Sequence, residues 1–215
     1  FPEITVDKNV LSDEKFGNLD LQTNLKVHSY DTNKLTSFFV NDLNWESNDL
    51  ILNSTIKNKV LGKLKNINYE AKNIGIYKEK ATSELFGAIG LLSEIDFQKK
   101  VSNFTHLLTP KVLLKLSPGS MRKEESGERL TSTDAFNIDR LNNINNFETS
   151  NTATVGINFD IKKDNIDKFN FSVAQIISKK ENKKMSTKSG LDEKLSDLVG
   201  DASFNINDNL KFTHQ

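Results

Sequence analysis

The sequence predicts an all-β chain, an antiparallel up-and-down sheet of about nine strands. Three observations predict it. Apolar residues recur with period two rather than 3.6 along most of the chain. The alternating segments are separated by polar stretches whose lengths themselves alternate, short then long. Hydrophobic residues are only 36% of the 215, against roughly 45–50% in soluble domains, yet the pattern is too regular for a disordered chain.

Taken in order, Leu19, Leu21, Leu25 and Val27 alternate with Asp20, Gln22, Asn24 and Lys26, and Phe39, Leu43 and Trp45 alternate with Val40, Asp42 and Asn44. Both read as half-apolar strands, because successive side chains of a strand point to opposite faces. From about Lys57 to Lys72, Ile67, Tyr69 and Ala71 face one way and Asn66, Asn68, Glu70 and Lys72 the other. Leu85, Gly87, Ile89, Leu91, Ser93, Ile95 and Phe97 share one face of the most apolar strand, Ser83–Gln98. In His106–Ser117 the even positions Leu108, Val112, Leu114 and Leu116 are apolar. Pro110 sits inside that strand and has no N–H to give a ladder, so the strand is either bulged there or properly paired only from there onward.

After Pro118-Gly119 no comparable alternation returns until about Asn151. Then Ala153, Val155, Ile157, Phe159 and Ile161 align, followed by Phe169, Phe171, Val173 and Ile177, and, beyond a second polar stretch, by Leu198, Gly200, Ala202, Phe204 and Ile206. A final segment begins at Leu210 and stops in mid-pattern, which leaves the sheet with two unpaired edges. The connections are a modest loop at Ser29–Lys34, a turn after Trp45, a loop near Ile74–Thr82 and a short turn at Lys99–Asn103. Then come the very long loop after Ser117, a short turn at Lys163–Asp167, a long loop after Ser178 and a short turn at Asn207–Asn209. Short turns therefore fall on one side of the sheet and long loops on the other.

Two architectures fit this reading. One is a segment of a transmembrane barrel, whose apolar face meets lipid and whose Asn/Lys/Asp/Ser/Gln face meets a wet lumen, with long loops outside the cell. The other is a soluble β-sandwich or solenoid, which also alternates. The loop asymmetry favours the barrel, and no fixed-period repeat favours a solenoid. Aromatic content is thin at 8%, with one tryptophan and three tyrosines, so a barrel girdle would have to use the 14 phenylalanines. The loop Pro118–Ser150 carries Phe136, Ile138, Leu141, Ile144 and Phe147, apolar anchors that predict a loop folded over or into the barrel mouth.

The function classes narrow by exclusion. Lys+Arg and Asp+Glu balance at 29 each, so no overall field draws the chain to nucleic acid. There is no cysteine for a disulfide, a thiolate metal site or a nucleophile. His28, His106 and His214 lie on separate strands without metal-ligand spacing. No G-x-S-x-G, phosphate loop or dinucleotide fingerprint occurs, so no catalytic, cofactor-binding or metal residue is assigned and no enzyme is expected. Glu124-Glu125 and Asp192-Glu193 read as solvated acidic clusters, and Asn53-Ser54-Thr55 as a chance glycosylation match. The basic run Lys179, Lys180, Lys183, Lys184 reads as a solvated loop, with phosphate pairing open to it if that loop is extracellular. The opening "FPEITVDKNV" has no initiator methionine and no apolar leader, which suggests a segment removed upstream.

The segments "LLTPKVLLKLSPG" (Leu107–Gly119), "DAFNIDRLNNINNFETSNTATVGINF" (Asp134–Phe159), "FNFSVAQ" (Phe169–Gln175) and "LSDLVGDASFNINDNLKF" (Leu195–Phe212) resemble consecutive barrel segments of the LptD family. These are outer-membrane lipopolysaccharide-assembly proteins, also called organic-solvent-tolerance proteins. "FPEI" and "LKNINYEAKN" (Leu64–Asn73) fit its alphaproteobacterial branch especially. No single motif is diagnostic; their order and spacing carry the resemblance. It implies that residues 1–215 are part of the family's C-terminal β-barrel domain, in a translocon that inserts lipopolysaccharide into the outer leaflet without bond chemistry. The partners it implies are an LptE-like lipoprotein plug, an LptA-like periplasmic bridge protein, lipopolysaccharide and outer-membrane lipid. The jellyroll, the lateral exit and the family's cysteines are not in this sequence, so the resemblance carries no site residues over. The alternative function is a soluble β-sandwich structural or adhesive domain of a cell-surface protein.

Overall fold

The computed structural model of the chain describes residues 2–30, 33–52, 55–124, 129–141, 143–164, 166–207 and 210–214. They form one antiparallel sheet with β1 (Glu3–Asp13), β2 (Gly17–Tyr30), β3 (Lys34–Glu46), β4 (Leu50–Leu52), β5 (Ile56–Lys72), β6 (Thr82–Ile95), β7 (Phe97–Val101), β8 (Phe104–Leu116), β9 (Thr152–Lys163), β10 (Ile166–Ser178), β11 (Val199–Asn207) and β12 (Leu210–His214). Ten of these lie side by side in chain order; β4 extends β3 along β5, and β7 extends β6 along β8. The expected nine strands are all present, and Glu3–Asp13 adds a tenth. It pairs with β2 through a bulge between Asn9 and Leu11, which shifts its alternation out of phase. No second sheet lies over this one among the described residues, so the sandwich alternative lacks its other half.

The ends of the sheet differ as expected. β1–β2, β3/β4–β5, β7–β8, β9–β10 and β11–β12 are joined at one end by tight turns, while the loops 73–81, 117–151 and 179–198 all leave from the other, which also carries the short β2–β3 connection between Tyr30 and Lys34. Asn33, Asn73, Ser102 and Asp164 take positive φ at these reversals, as short polar side chains tolerate best. Strands of 12 to 17 residues, such as β9 and β5, exceed the roughly 9–11 needed to cross hydrocarbon.

Pro110 neither bulges β8 nor starts it. The register to β9 runs unbroken from Phe104↔Lys163 to Lys115↔Thr152. On the other side it continues from Glu94↔Lys111 to Phe97↔Leu108 with the same offset. The ladder is interrupted only around Asp96, opposite the proline's missing donor. There the Asp96 carboxylate compensates by accepting from Thr109 Oγ1 at 2.7 Å and from Lys57 Nζ at 2.6 Å.

One face of the sheet is bare and apolar, the other polar and partly covered. Leu85, Ile89, Leu91 and Phe97 are exposed on the bare face, Leu85 to 69%, and so are Leu114, Leu116, Val155, Ile157, Phe171 and Phe204. Their neighbours Glu94 and Asp96 point the other way, onto Lys111 and Lys57. Near the tight turns phenylalanine forms a belt on the bare face: Phe169 is paired in register with Phe204, and Phe204 with Phe212, while Phe159 meets Phe169 edge-on at 6.2 Å. That is where a barrel places its aromatic girdle.

Upper β5 departs from the expected pattern. Ile67, Tyr69 and Ala71 do not join the bare apolar face; they are buried on the covered face with Phe38, Val40 and Phe86. They point inward because Phe147 of the long loop supplies them with an apolar partner, its ring stacked on Phe86 at 5.8 Å.

Candidate functional site: the loop-covered face

The described residues of the loop 117–151 lie on the covered face of β3, β5, β6, β8, β9 and β10 and are fastened there in two ways. The first is apolar. Phe147 and Ile144 join the cluster around Ile67, while Met121, Ala135, Leu130, Phe136 and Leu141 join Ala174 and Ile176 of β10 and Met185 and Leu191 of the loop 179–198. One glycine on the strands makes room for the loop: a Cβ on Gly156 would stand 2.8 Å from Phe136 Cζ and 2.6 Å from the Val173 carbonyl oxygen. Ile138 reaches the sheet at Gly90, where an added Cβ would lie 3.5 Å from Ile138 Cδ1, an ordinary contact. The five anchors expected from the sequence thus all reach the sheet or its clusters.

The second fastening is ionic and buried. Lys115 of β8, with a fully buried side chain, donates to the Glu148 backbone carbonyl at 3.1 Å and pairs with its carboxylate at 3.1 Å. Arg140 pairs with the same carboxylate at 3.3 Å and donates to Thr152 Oγ1 of β9 at 2.6 Å. The loop also clasps itself: Arg140 N donates to Glu148 Oε2 at 3.3 Å, Glu148 N to Asp139 Oδ1 at 3.2 Å, and Ser150 Oγ to Glu148 Oε1 at 2.5 Å. Burial pushes the Glu148 carboxyl up, but Arg140 and Lys115 outweigh it and hold the group down at about 2.

Lys65 of β5 repeats the arrangement. Its ammonium donates to Asp139 Oδ2 at 3.2 Å and to the carbonyls of Asn143 and Asn146 at 3.2 and 3.1 Å. Lys63 beside it pairs with Asp42 of β3 at 3.1 Å. At the rim, the Arg122 guanidinium lies 5.0 and 5.4 Å from the ring centres of Tyr69 and Tyr77 and pairs with Glu84. Strand lysines thus hold loop carboxylates and carbonyls in a setting where an uncompensated charge would be costly.

Sequence reasoning assigned no site residues and read these strand positions as a wet polar face. The structure makes Lys65 and Lys115 dry, and it corrects the acidic clusters. Glu124 is buried and accepts from Asn143 and Asn146 at 2.9 and 3.0 Å. Asp192 is buried too, while Glu193 stays outside with Lys183. Glu125, Asn53 and Ser54 lie outside the described residues. His28, His106 and His214 remain on separate strands, His106 stacked beside Phe159 at 6.2 Å. Among the described residues no group of three or more His, Asp or Glu could hold a metal.

Between the two loops a cavity of about 660 Å³ remains, lined by Lys63, Arg129, Asp134, Asp139, Arg140 and Lys188 among others. Toward the tight turns the same face is uncovered and carries open polar pairs, such as Asn170 with Asp160 and Asn9 with Asp20. The arrangement suits a hydrophilic compartment closed at one end by its own loop.

No curated protein matches the chain. The family model described as LptD, LPS transport system D, matches residues 63–215, from mid-β5 through both long loops to the end. With most of its length matched, and an antiparallel sheet that has one apolar and one polar face, the chain belongs to the LptD family of outer-membrane lipopolysaccharide-transport proteins.

Proposed function

We propose that residues 1–215 are a section of the wall of the family's C-terminal β-barrel and that the loop 117–151 closes the outer end of its lumen. In this role the chain serves the assembly of lipopolysaccharide into the outer leaflet, beside an LptE-like lipoprotein and downstream of an LptA-like bridge. The observation that carries the reading is the two-faced sheet: a bare face of Leu, Ile, Val and Phe and an opposite face that is polar where open and loop-sealed where covered. An exposed apolar band of this extent is the surface a barrel presents to hydrocarbon. The outer edges of β1 and β12 pair with nothing among the described residues. In hydrocarbon each unpaired backbone group costs several kcal/mol, so further barrel strands are required to close the sheet.

The chain brings no thiol of its own, so added cysteines report its topology in a whole protein freed of any other cysteine. Cysteine in place of Lys180, at the loop end, should react with an impermeant maleimide in intact cells. Cysteine in place of Asp164, at a tight turn, should react only after the outer membrane is permeabilised. The reverse pattern rejects the orientation, and labelling of both in intact cells rejects the membrane-spanning reading.

A further inference from the structure

Within two residues along β10 the bare face changes from apolar to cationic. One hydrogen-bonded row across it reads Leu91, Leu114, Ala153, Ile177 and Leu195, each paired in register with the next. All the large members of this row are exposed. The next position on the same face beyond Ile177 is Lys179, whose backbone N–H donates to the Asn151 carbonyl at 3.0 Å and so continues the ladder past the end of the strand. Beside it a cavity of about 580 Å³ opens between the two long loops. It is lined by Lys179, Lys180, Lys183 and Lys184 and by Ser120, Ser150 and Glu181 among others.

The four lysines are not equivalent. Lys183 is neutralised by Glu181 and Glu193 at 3.4 and 2.8 Å. Lys184 spans the opening to Ser120 Oγ at 2.6 Å. Lys179 and Lys180 are exposed and make no ion pair among the described residues. The cavity wall is fixed from below: Asn182 donates to the Thr149 carbonyl at 3.3 Å, and Glu124 N donates to the Lys184 carbonyl at 2.7 Å. Cations therefore project from a braced rim, immediately above a strip of leucine and isoleucine. A molecule meeting both surfaces needs an apolar tail and an anionic head.

We propose that Lys179, Lys180 and Lys184 form a headgroup site for a lipid phosphate monoester, with the acyl chains lying along the Leu114–Ile177–Leu195 row. The site rests on the reading of the bare face as lipid-facing. Its role is to anchor the loop end of the sheet at the leaflet surface, where each lysine near anionic lipid strengthens binding about fivefold.

The test is native mass spectrometry of the protein released from micelles doped with equal amounts of dioleoyl phosphatidic acid and dioleoyl phosphatidylcholine. The intact protein should retain phosphatidic acid in preference by at least about fivefold. K179Q/K180Q/K184Q should lose that preference, and K183Q, whose charge is already met, should keep it. Equal retention of both lipids by the unaltered protein, or a preference that survives the triple substitution, overturns the site. Displacement of phosphatidic acid by an equal concentration of glycerol 3-phosphate overturns the lipid as the source of the phosphate. Retention of neither lipid is a different failure, which sinks the lipid-facing reading along with the site.

Discussion

The two ends of the polar face use the same chemistry to opposite effect. Near the tight turns, Lys59 pairs with Glu46 at 2.5 Å and Lys162 with Asp167 at 3.2 Å, but these side chains are 31% to 61% exposed. Near the long loops, Lys115, Lys65 and Arg140 pair with Glu148 and Asp139 with side chains at most 4% exposed. An exposed pair contributes about 0–1 kcal/mol. Breaking a buried pair costs about 3–5 kcal/mol, because the remaining partner is left charged and dry. What fastens the loop is therefore not the number of ion pairs but the Phe147, Ile144 and Phe136 side chains that exclude water from them.

Glu148→Ala should show the largest effect. It strands Lys115 and Arg140, and the loop's opening free energy, read by hydrogen exchange at the Phe147 and Glu148 amides, should fall by about 3–5 kcal/mol. An unchanged exchange rate would remove the latch from the account. The same group sets a pH response. The Glu148 carboxyl is held near 2, below its ordinary 4.5. Its contribution is therefore full above about pH 4.5 and is lost as pH falls through about 2. Loop protection should decline across that acid window in the unaltered protein and stay flat there in Glu148→Gln.

Phe147→Ala tests the apolar half of the fastening. It empties the space between Phe86 and the Ile67 cluster and should cost about 3–5 kcal/mol of the same opening free energy. Gly156→Val overpacks the Phe136 contact from the strand side: its Cβ would crowd the Val173 carbonyl oxygen of β10 as well as Phe136, so it should cost about 1–3 kcal/mol through both contacts, and proteolysis within 129–141 should accelerate. Lys59→Met, at the open end, is expected to change stability by no more than about 1 kcal/mol. If it matched Glu148→Ala, the contrast between the ends would be false.

Much of this was legible in the sequence, for a physical reason. On β6, β8, β9 and β10 the bare face needs no partner from elsewhere in the chain, so Leu85–Phe97 or Ala153–Ile161 can be assigned from alternation alone. The loop asymmetry and the family resemblance could be read in the same local way. β1 escaped because its apolar residues are few and the Asn9/Leu11 bulge breaks their phase. Ile67, Tyr69 and Ala71 were visible as a face, but nothing local says that the face is inward, since the deciding contact is Phe147, some 80 residues later. Lys115 sits between Leu114 and Leu116 with its partner Glu148 33 positions away, so the sequence marks it as polar without marking it as dry.

The central claim is that one face of this sheet meets hydrocarbon while the other holds water and a latched loop. Spin labels placed one at a time at Leu91, Leu114, Ile157 and Ile177, and at Asp20 and Asn158 on the open part of the polar face, test it directly in a lipid bilayer. The first four should be relaxed by oxygen far more than by a water-soluble nickel chelate, and the last two the other way round. Nickel access at Leu114 and Ile177 equal to that at Asn158 would contradict the account.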